Sequence, residues 1–122
     1  MLDISFYQKH LDQVSRSFAF CIARLEGDFR GWVGLSYLLC RILDTVEDAA
    51  WTDQAVRAEA FDSFERFLRD GASGDEVAAW VAKFPSIPEG EQALLADSAR
   101  IFGDLQNLPV QIREKIKRPV LN

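Results

Sequence analysis

The sequence predicts an all-α protein, and three observations carry that prediction. Apolar residues recur at helical spacing along nearly the whole chain, no stretch alternates with period two, and capping or breaking residues stand at the joints between periodic segments. The 122 residues suit a single domain. Close to half of them, 48%, are apolar, enough for a core in a chain of this size.

Residues 3–25 read as one long helix or two broken ones, with Phe6, Leu11, Val14, Phe18, Cys21, Ile22 and Leu25 on one side. Gly27 is expected to stop this element and Asp28 to cap the next. From Phe29 to Ala50 runs the most apolar helix of the chain, interrupted lightly by Gly31 and Gly34. Thr52 or Asp53 is placed to cap a third helix through about Arg69, whose face carries Val56, Ala60, Phe64, Phe67 and Leu68. Asp70-Gly71-Ala72-Ser73-Gly74 is a turn by composition. A short helix over 75–84 follows, carrying Val77, Trp80, Val81 and Phe84. Pro85 and Pro88 mark a loop, and 89–107 returns to a helical pattern with Leu94, Leu95, Ile101, Phe102 and Leu105. Pro109 suits the first position of a last helix, Val110–Lys117. There is no internal repeat. The chain stops at Arg118-Pro119-Val120-Leu121-Asn122, straight after a helical segment and without a capping glycine or polar tail, so it reads as a cut.

A formal net charge of −5 argues against a general nucleic-acid binder, which needs a basic stripe to displace counterions from phosphates. Cys21 and Cys40 each lie inside an apolar run, which predicts two buried, reduced thiols of a cytoplasmic protein. No CxxC spacing occurs and the lone His10 is far away in sequence, which argues against a disulfide or a zinc site. The N-terminus lacks a basic segment followed by an apolar one, and charge breaks every apolar stretch well short of a membrane span, so no transmembrane segment is expected.

The chemistry concentrates on the central helix. At 100° per residue, Tyr37, Arg41, Asp44 and Asp48 fall within an arc of about 60°. Most of the remaining surface there is Leu, Ile, Val, Cys or Gly, and a helix that is apolar on nearly every side belongs in a core. The polar stripe is therefore expected to face an interior cavity, a costly arrangement unless something cationic neutralises the carboxylates. Two readings of the residues stand side by side. In one, Arg41 pairs with Asp44 at i,i+3 on an ordinary solvated face. In the other, Asp44 and Asp48, one turn apart, hold Mg²⁺ together with ligand phosphates. Arg41 then meets the same phosphates with its planar fork, and Glu47 acts as an outer-shell acceptor.

The string Tyr37-Leu38-Leu39-Cys40-Arg41-Ile42-Leu43-Asp44-Thr45-Val46-Glu47-Asp48 closely resembles the first aspartate-rich motif of squalene and phytoene synthases, YxxxRxxDxxxD, and its DTVED wording is nearest to squalene synthases. Upstream, Val14-Ser15-Arg16-Ser17-Phe18 resembles the family's VSRSF element. On its own that segment is equally an ordinary helix start with Ser15 as a local cap, although hydroxyls and a guanidinium near a helix start also suit an anion.

The resemblance implies a partial helical bundle of the class I isoprenoid (terpenoid) synthase fold. It implies head-to-head condensation of two farnesyl diphosphates via presqualene diphosphate, followed in squalene synthases by reduction with NADPH. Carried over by position, Asp44 and Asp48 would bind Mg²⁺ and Arg41 the diphosphate. Ser15, Arg16, Ser17 and Phe18 would contact substrate, and Tyr37 would line the cavity near the reacting carbons. Leu38, Leu39, Phe18 and Phe20 suit the wall of a dry pocket and equally suit plain core packing.

The family's chain is more than twice as long and has a second aspartate-rich motif, whereas no Asp-x-x-x-Asp follows Asp48 here. Residues 1–122 are thus expected to be the N-terminal portion of such a domain, turning over little or no substrate alone, with apolar faces covered by the remainder or by a second copy. A phytoene or dehydrosqualene synthase and a non-catalytic helical dimerisation module are the alternatives. The resemblance places the protein in the cytoplasm, peripheral to the membrane that takes up the product.

Overall fold

A computed structural model describes residues 2–121, and the regular structure among them is wholly helical. In chain order the helices are α1 (Ile4–Val14), α2 (Arg16–Ile22), α3 (Gly27–Asp48), α4 (Gln54–Asp70), α5 (Gly74–Ala82), α6 (Glu89–Ala96), α7 (Ser98–Gln106) and α8 (Val110–Leu121). The all-α expectation holds.

The apolar run predicted over 29–50 becomes α3, which packs against α1, α2, α4, α6, α7 and α8. Leu35, Leu38, Leu39, Ile42 and Val46 have no exposed surface. Each such side chain contributes about 1.5–3 kcal/mol by leaving water, which makes α3 the axis on which the bundle assembles. A second centre lies on α4, α5 and α7, where Phe64, Phe67, Trp80 and Phe102 meet mostly edge to face.

Local chemistry explains most boundaries. Asp53 rather than Thr52 caps α4, its carboxylate accepting from the Ala55 amide at 2.9 Å. Gly71, at φ 79°, ends that helix in a conformation open to glycine. The segment read as a featureless turn holds a capping box: Ser73 and Glu76 each accept from the other's backbone amide, starting α5.

Four expectations need correction. Gly27 opens α3 at φ 61° instead of stopping the element before it, and Asp28 sits inside the first turn with Glu26 as the N-cap. The helical pattern over 89–107, read without a break, is divided into α6 and α7 at Asp97 (φ −100°, ψ 5°), whose carboxylate meets the buried His10 of α1 at 2.8 Å. The last helix continues through Pro119, and Pro109 precedes its first turn. The thiols are not both buried: Cys40 on α3 is half-buried, and Cys21 is exposed because α2 turns only Ala19 and Ile22 inward. Both thiols are free. Burial, and secondarily the charge of Asp44, holds the Cys40 thiol above its ordinary pKa, so it stays protonated.

A polar contact ties the N-terminal helix to α7. The Tyr7 hydroxyl, on a side chain only 2% exposed, donates to Asp104 at 2.7 Å. Burial first, and the Asp104 carboxylate second, push its pKa up from the ordinary tyrosine value. In the unfolded chain Tyr7 ionises near pH 10, so its contribution is complete below that pH and declines as pH rises beyond it. Tyr7→Phe is expected to cost about 1 kcal/mol at pH 7 and to flatten the stability loss between pH 9.5 and 11. Denaturant melts across that range check this, and an unchanged alkaline slope would contradict it.

Candidate functional site

The helix α3 ends as an acidic pole. Asp44, Glu47 and Asp48 lie in or beside its last turn, where no basic residue is present. The aligned peptide dipoles already place a partial negative charge at that end. Backbone geometry there is fixed from two sides: Trp51 Nε1 donates to the Val46 carbonyl at 2.7 Å, and Thr45 Oγ1 donates to the Arg41 carbonyl at 2.9 Å. A rigid helix end loaded with carboxylates attracts a cation.

Arg41, Asp44, Thr45 and Asp48 line one cleft of about 340 Å³, closed on its other side by Ser86, Ile87, Pro88 and Glu91. Three of the four stripe residues inferred from periodicity, Arg41, Asp44 and Asp48, share that cleft, which is open and not an enclosed interior; Tyr37 lies outside it. Both aspartates are exposed. Arg41 does not pair with Asp44. Its Nη2 donates to Glu91 of α6 at 2.5 Å, on side chains 29% and 16% exposed, and its Nε is buried without a partner. Glu47 points away from this group: it is exposed, is not part of the cleft lining, and only its backbone carbonyl is engaged, by Arg57 at 3.3 Å.

The upstream motif falls into two parts. Ser15 and Arg16 line a separate cleft with Asp12, Gln13, Val14, Glu89, Gly90 and Ala93. Ser15 stands at the N-cap of α2 yet makes no capping bond with its hydroxyl. Ser17 is exposed and lines neither cleft. Phe18, 53% exposed, stacks on Tyr37 with ring centroids 4.6 Å apart at 29°. That stack joins two sequence motifs that stand nineteen residues apart.

Both clefts border the first turn of α6, which presents Glu89 and Gly90 to one and Glu91 to the other. Gly90 makes this possible, since a Cβ there would stand 2.9 Å from the Gln13 carbonyl oxygen. Beyond Tyr37, an apolar groove of about 560 Å³ runs between α3 and α8, lined by residues including Phe29, Trp32, Val33, Tyr37, Cys40 and Ile116. Glu91 was not singled out from sequence, because a glutamate in the first turn of a helix is ordinary and its partner lies fifty residues away.

Residues 11–111 match the family model for squalene/phytoene synthase. The squalene synthase of Rattus norvegicus is 34% identical over 100 residues, covering 82% of this chain and 22% of the relative. That of Homo sapiens is 30% identical over 107 residues, covering 78% and 26%. "Inactive squalene synthase 2" of Arabidopsis thaliana is 34% identical over 68 residues, covering 56% and 16%. The chain thus spans about a quarter of the length of the first two, at 22% and 26%. No solved structure matches it. With the family model covering most of the chain and both motifs lying inside the match, this protein belongs to the squalene/phytoene synthase family.

Proposed function

We propose that this chain forms the diphosphate- and metal-binding part of a squalene synthase-like prenyltransferase that condenses two farnesyl diphosphates head to head via presqualene diphosphate. The observation that carries this is the convergence of Arg41, Asp44 and Asp48 on one cleft at the negative end of α3. Beside it, Tyr37 and Phe18 stack at the edge of an apolar groove. Tyr37 stands seven residues before Asp44, roughly 10 Å along the axis, so a diphosphate at the aspartates leaves its hydrocarbon tail along the groove.

The donor set fits a magnesium ion shared with phosphate oxygens. Asp44 and Asp48 are hard oxygen donors open to the cleft, and Arg41 lines it beside them. Among the described residues no three side chains converge as a self-sufficient metal cage, so the phosphates would complete the shell. Bound magnesium supplies neutralisation of the charge that builds on departing diphosphate. The chain's own residues do the rest. Asp44 and Asp48 place the cation, and Arg41 takes a phosphate edge in its planar fork. Phe18 and Tyr37 offer aromatic faces to the allylic cation and keep water from it. Ser15 and Arg16 form the separate phosphate contact at the start of α2. Ser17 and Glu47, which belong to the family motifs, line neither cleft and would act only from outside them. On the squalene synthase reading, NADPH would supply the hydride for the reductive step.

On this reading residues 1–122 are the N-terminal portion of the synthase domain. With a single aspartate motif the chain alone turns over little or no substrate. The exposed Phe18, Phe20 and Phe29 would be covered by the rest of the domain or by a second copy. No helix among the described residues is long and apolar enough to cross a membrane, and we place the protein in the cytoplasm at the face of the membrane that receives the product. A phytoene or dehydrosqualene product uses the same site and differs in groove length. A non-catalytic role is the second reading, favoured by one relative that bears the name of an inactive synthase. Calorimetric titration of a farnesyl thiodiphosphate analogue separates the two: binding is expected with Mg²⁺ and not with EDTA. Equal affinity in both conditions would overturn the enzymatic reading.

A further inference from the structure

The Arg41–Glu91 pair holds the cleft's one positive charge in use before any ligand arrives. The cleft is lined by one basic and three acidic side chains, Arg41 against Asp44, Asp48 and Glu91, a formal charge of −2. An incoming diphosphate meets repulsion from that charge, which resides on the exposed Asp44 and Asp48 and is felt most at low salt. The guanidinium is also only partly satisfied. Nη2 reaches Glu91 Oε1, while the buried Nε has no partner. A doubly bonded carboxylate would occupy the whole edge of the fork. Glu91 holds one corner, an arrangement that a phosphate oxygen can displace.

We propose that Glu91 is an internal competitor for Arg41, which keeps the guanidinium from binding diphosphate until a divalent cation has entered the cleft. A cation held by Asp44 and Asp48 cancels the excess negative charge, phosphate oxygens then exchange with the Glu91 carboxylate at Arg41, and the order of binding is metal before diphosphate. The inference rests on the proposed function and extends it from which residues bind to when they bind. Glu91 is a positioning residue here: it acts on substrate only through Arg41.

The test is calorimetric titration of inorganic pyrophosphate into wild type, Glu91→Gln, Glu91→Ala and the double variant Arg41→Gln/Glu91→Gln, at low salt, with EDTA and with Mg²⁺. Circular dichroism establishes that each variant is folded. Without metal, both Glu91 variants are expected to bind pyrophosphate about tenfold more tightly than wild type, about 1.4 kcal/mol, and the double variant to lose that gain. A merely structural pair would leave affinity unchanged or lower it. Metal-free binding by the Glu91 variants no tighter than wild type overturns the proposal, as does a gain that survives loss of Arg41. The metal-free arm reads Arg41 and Glu91 alone. Failure of the wider assignment would show separately, as magnesium-dependent binding that persists in Asp44→Asn/Asp48→Asn.

Discussion

Replacing Asp44 and Asp48 together by asparagine is expected to abolish magnesium-dependent binding of the farnesyl thiodiphosphate analogue while making the chain more stable. The two halves of that result have one cause. Both carboxylates sit at or near the C-terminal end of α3, where the helix dipole is negative and no basic residue compensates. An acidic group there costs about 0.3–1 kcal/mol, and like charges one turn apart add a few tenths of a kcal/mol. Neither side chain accepts a hydrogen bond among the described residues, and both are exposed. The near-isosteric asparagines therefore remove repulsion and take no contact away. A net gain of about 1–2 kcal/mol corresponds to an increase of roughly 5–10 °C in the unfolding midpoint. Thermal melts and analogue titrations on the same preparation check both halves. Lost binding with lowered stability would mean that the aspartates hold the helix together, and undiminished magnesium-dependent binding would remove them from the site. A stability gain on loss of function is the usual mark of residues kept for chemistry.

Much of this site was legible in the sequence because α3 is regular. Its helical period places Tyr37, Arg41, Asp44 and Asp48 on one stripe without knowledge of any partner; the structure keeps Arg41, Asp44 and Asp48 in one cleft and turns Tyr37 to the neighbouring groove. What failed was phase across breaks. Treating residues 3–25 as one surface put Phe18 and Cys21 on the buried side with Leu11 and Ile22. Ser15, extended at φ −163° and ψ 92°, interrupts the helix and resets the rotation, so α2 keeps Ile22 inside but buries Ala19 in place of Phe18 and Cys21. Phe18 is thereby released to reach Tyr37. The bend at Asp97 was illegible for a related reason: its partner His10 lies 87 residues away, and periodicity carries no information about such pairs. The same limit hid Glu91. The openness of the cleft was also beyond a helical wheel, which shows which residues share a side but not what stands opposite.

Phe102→Ala is expected to be the most destabilising single substitution in the aromatic centre, at about 3–5 kcal/mol. Phe102 on α7 has no exposed surface, and its ring lies 5.8 Å from Phe64, 5.4 Å from Phe67 and 6.2 Å from Trp80. Those neighbours belong to α4 and α5 and are themselves tied down, Trp80 by its indole N–H donating to the Ala60 carbonyl at 3.0 Å. A rigid shell cannot collapse into the space a benzyl group leaves, so the cavity term adds to the lost transfer energy. Against a total of about 5–15 kcal/mol for a domain of this kind, such a loss consumes a large share of the folding free energy. Phe102→Leu, which fills most of the space, is expected to cost less than half as much. None of the cleft residues at Arg41, Asp44, Asp48 and Glu91 lies on α4, α5 or α7. At temperatures where the variant remains folded, analogue affinity should therefore match wild type. Chemical denaturation measures the first effect and titration at 10 °C the second. A loss below about 1 kcal/mol would show that the aromatic centre is loosely packed. A large fall in affinity in the folded variant would show that α7 positions the acidic end of α3, a coupling for which the packing of α7 on α3 is the available route.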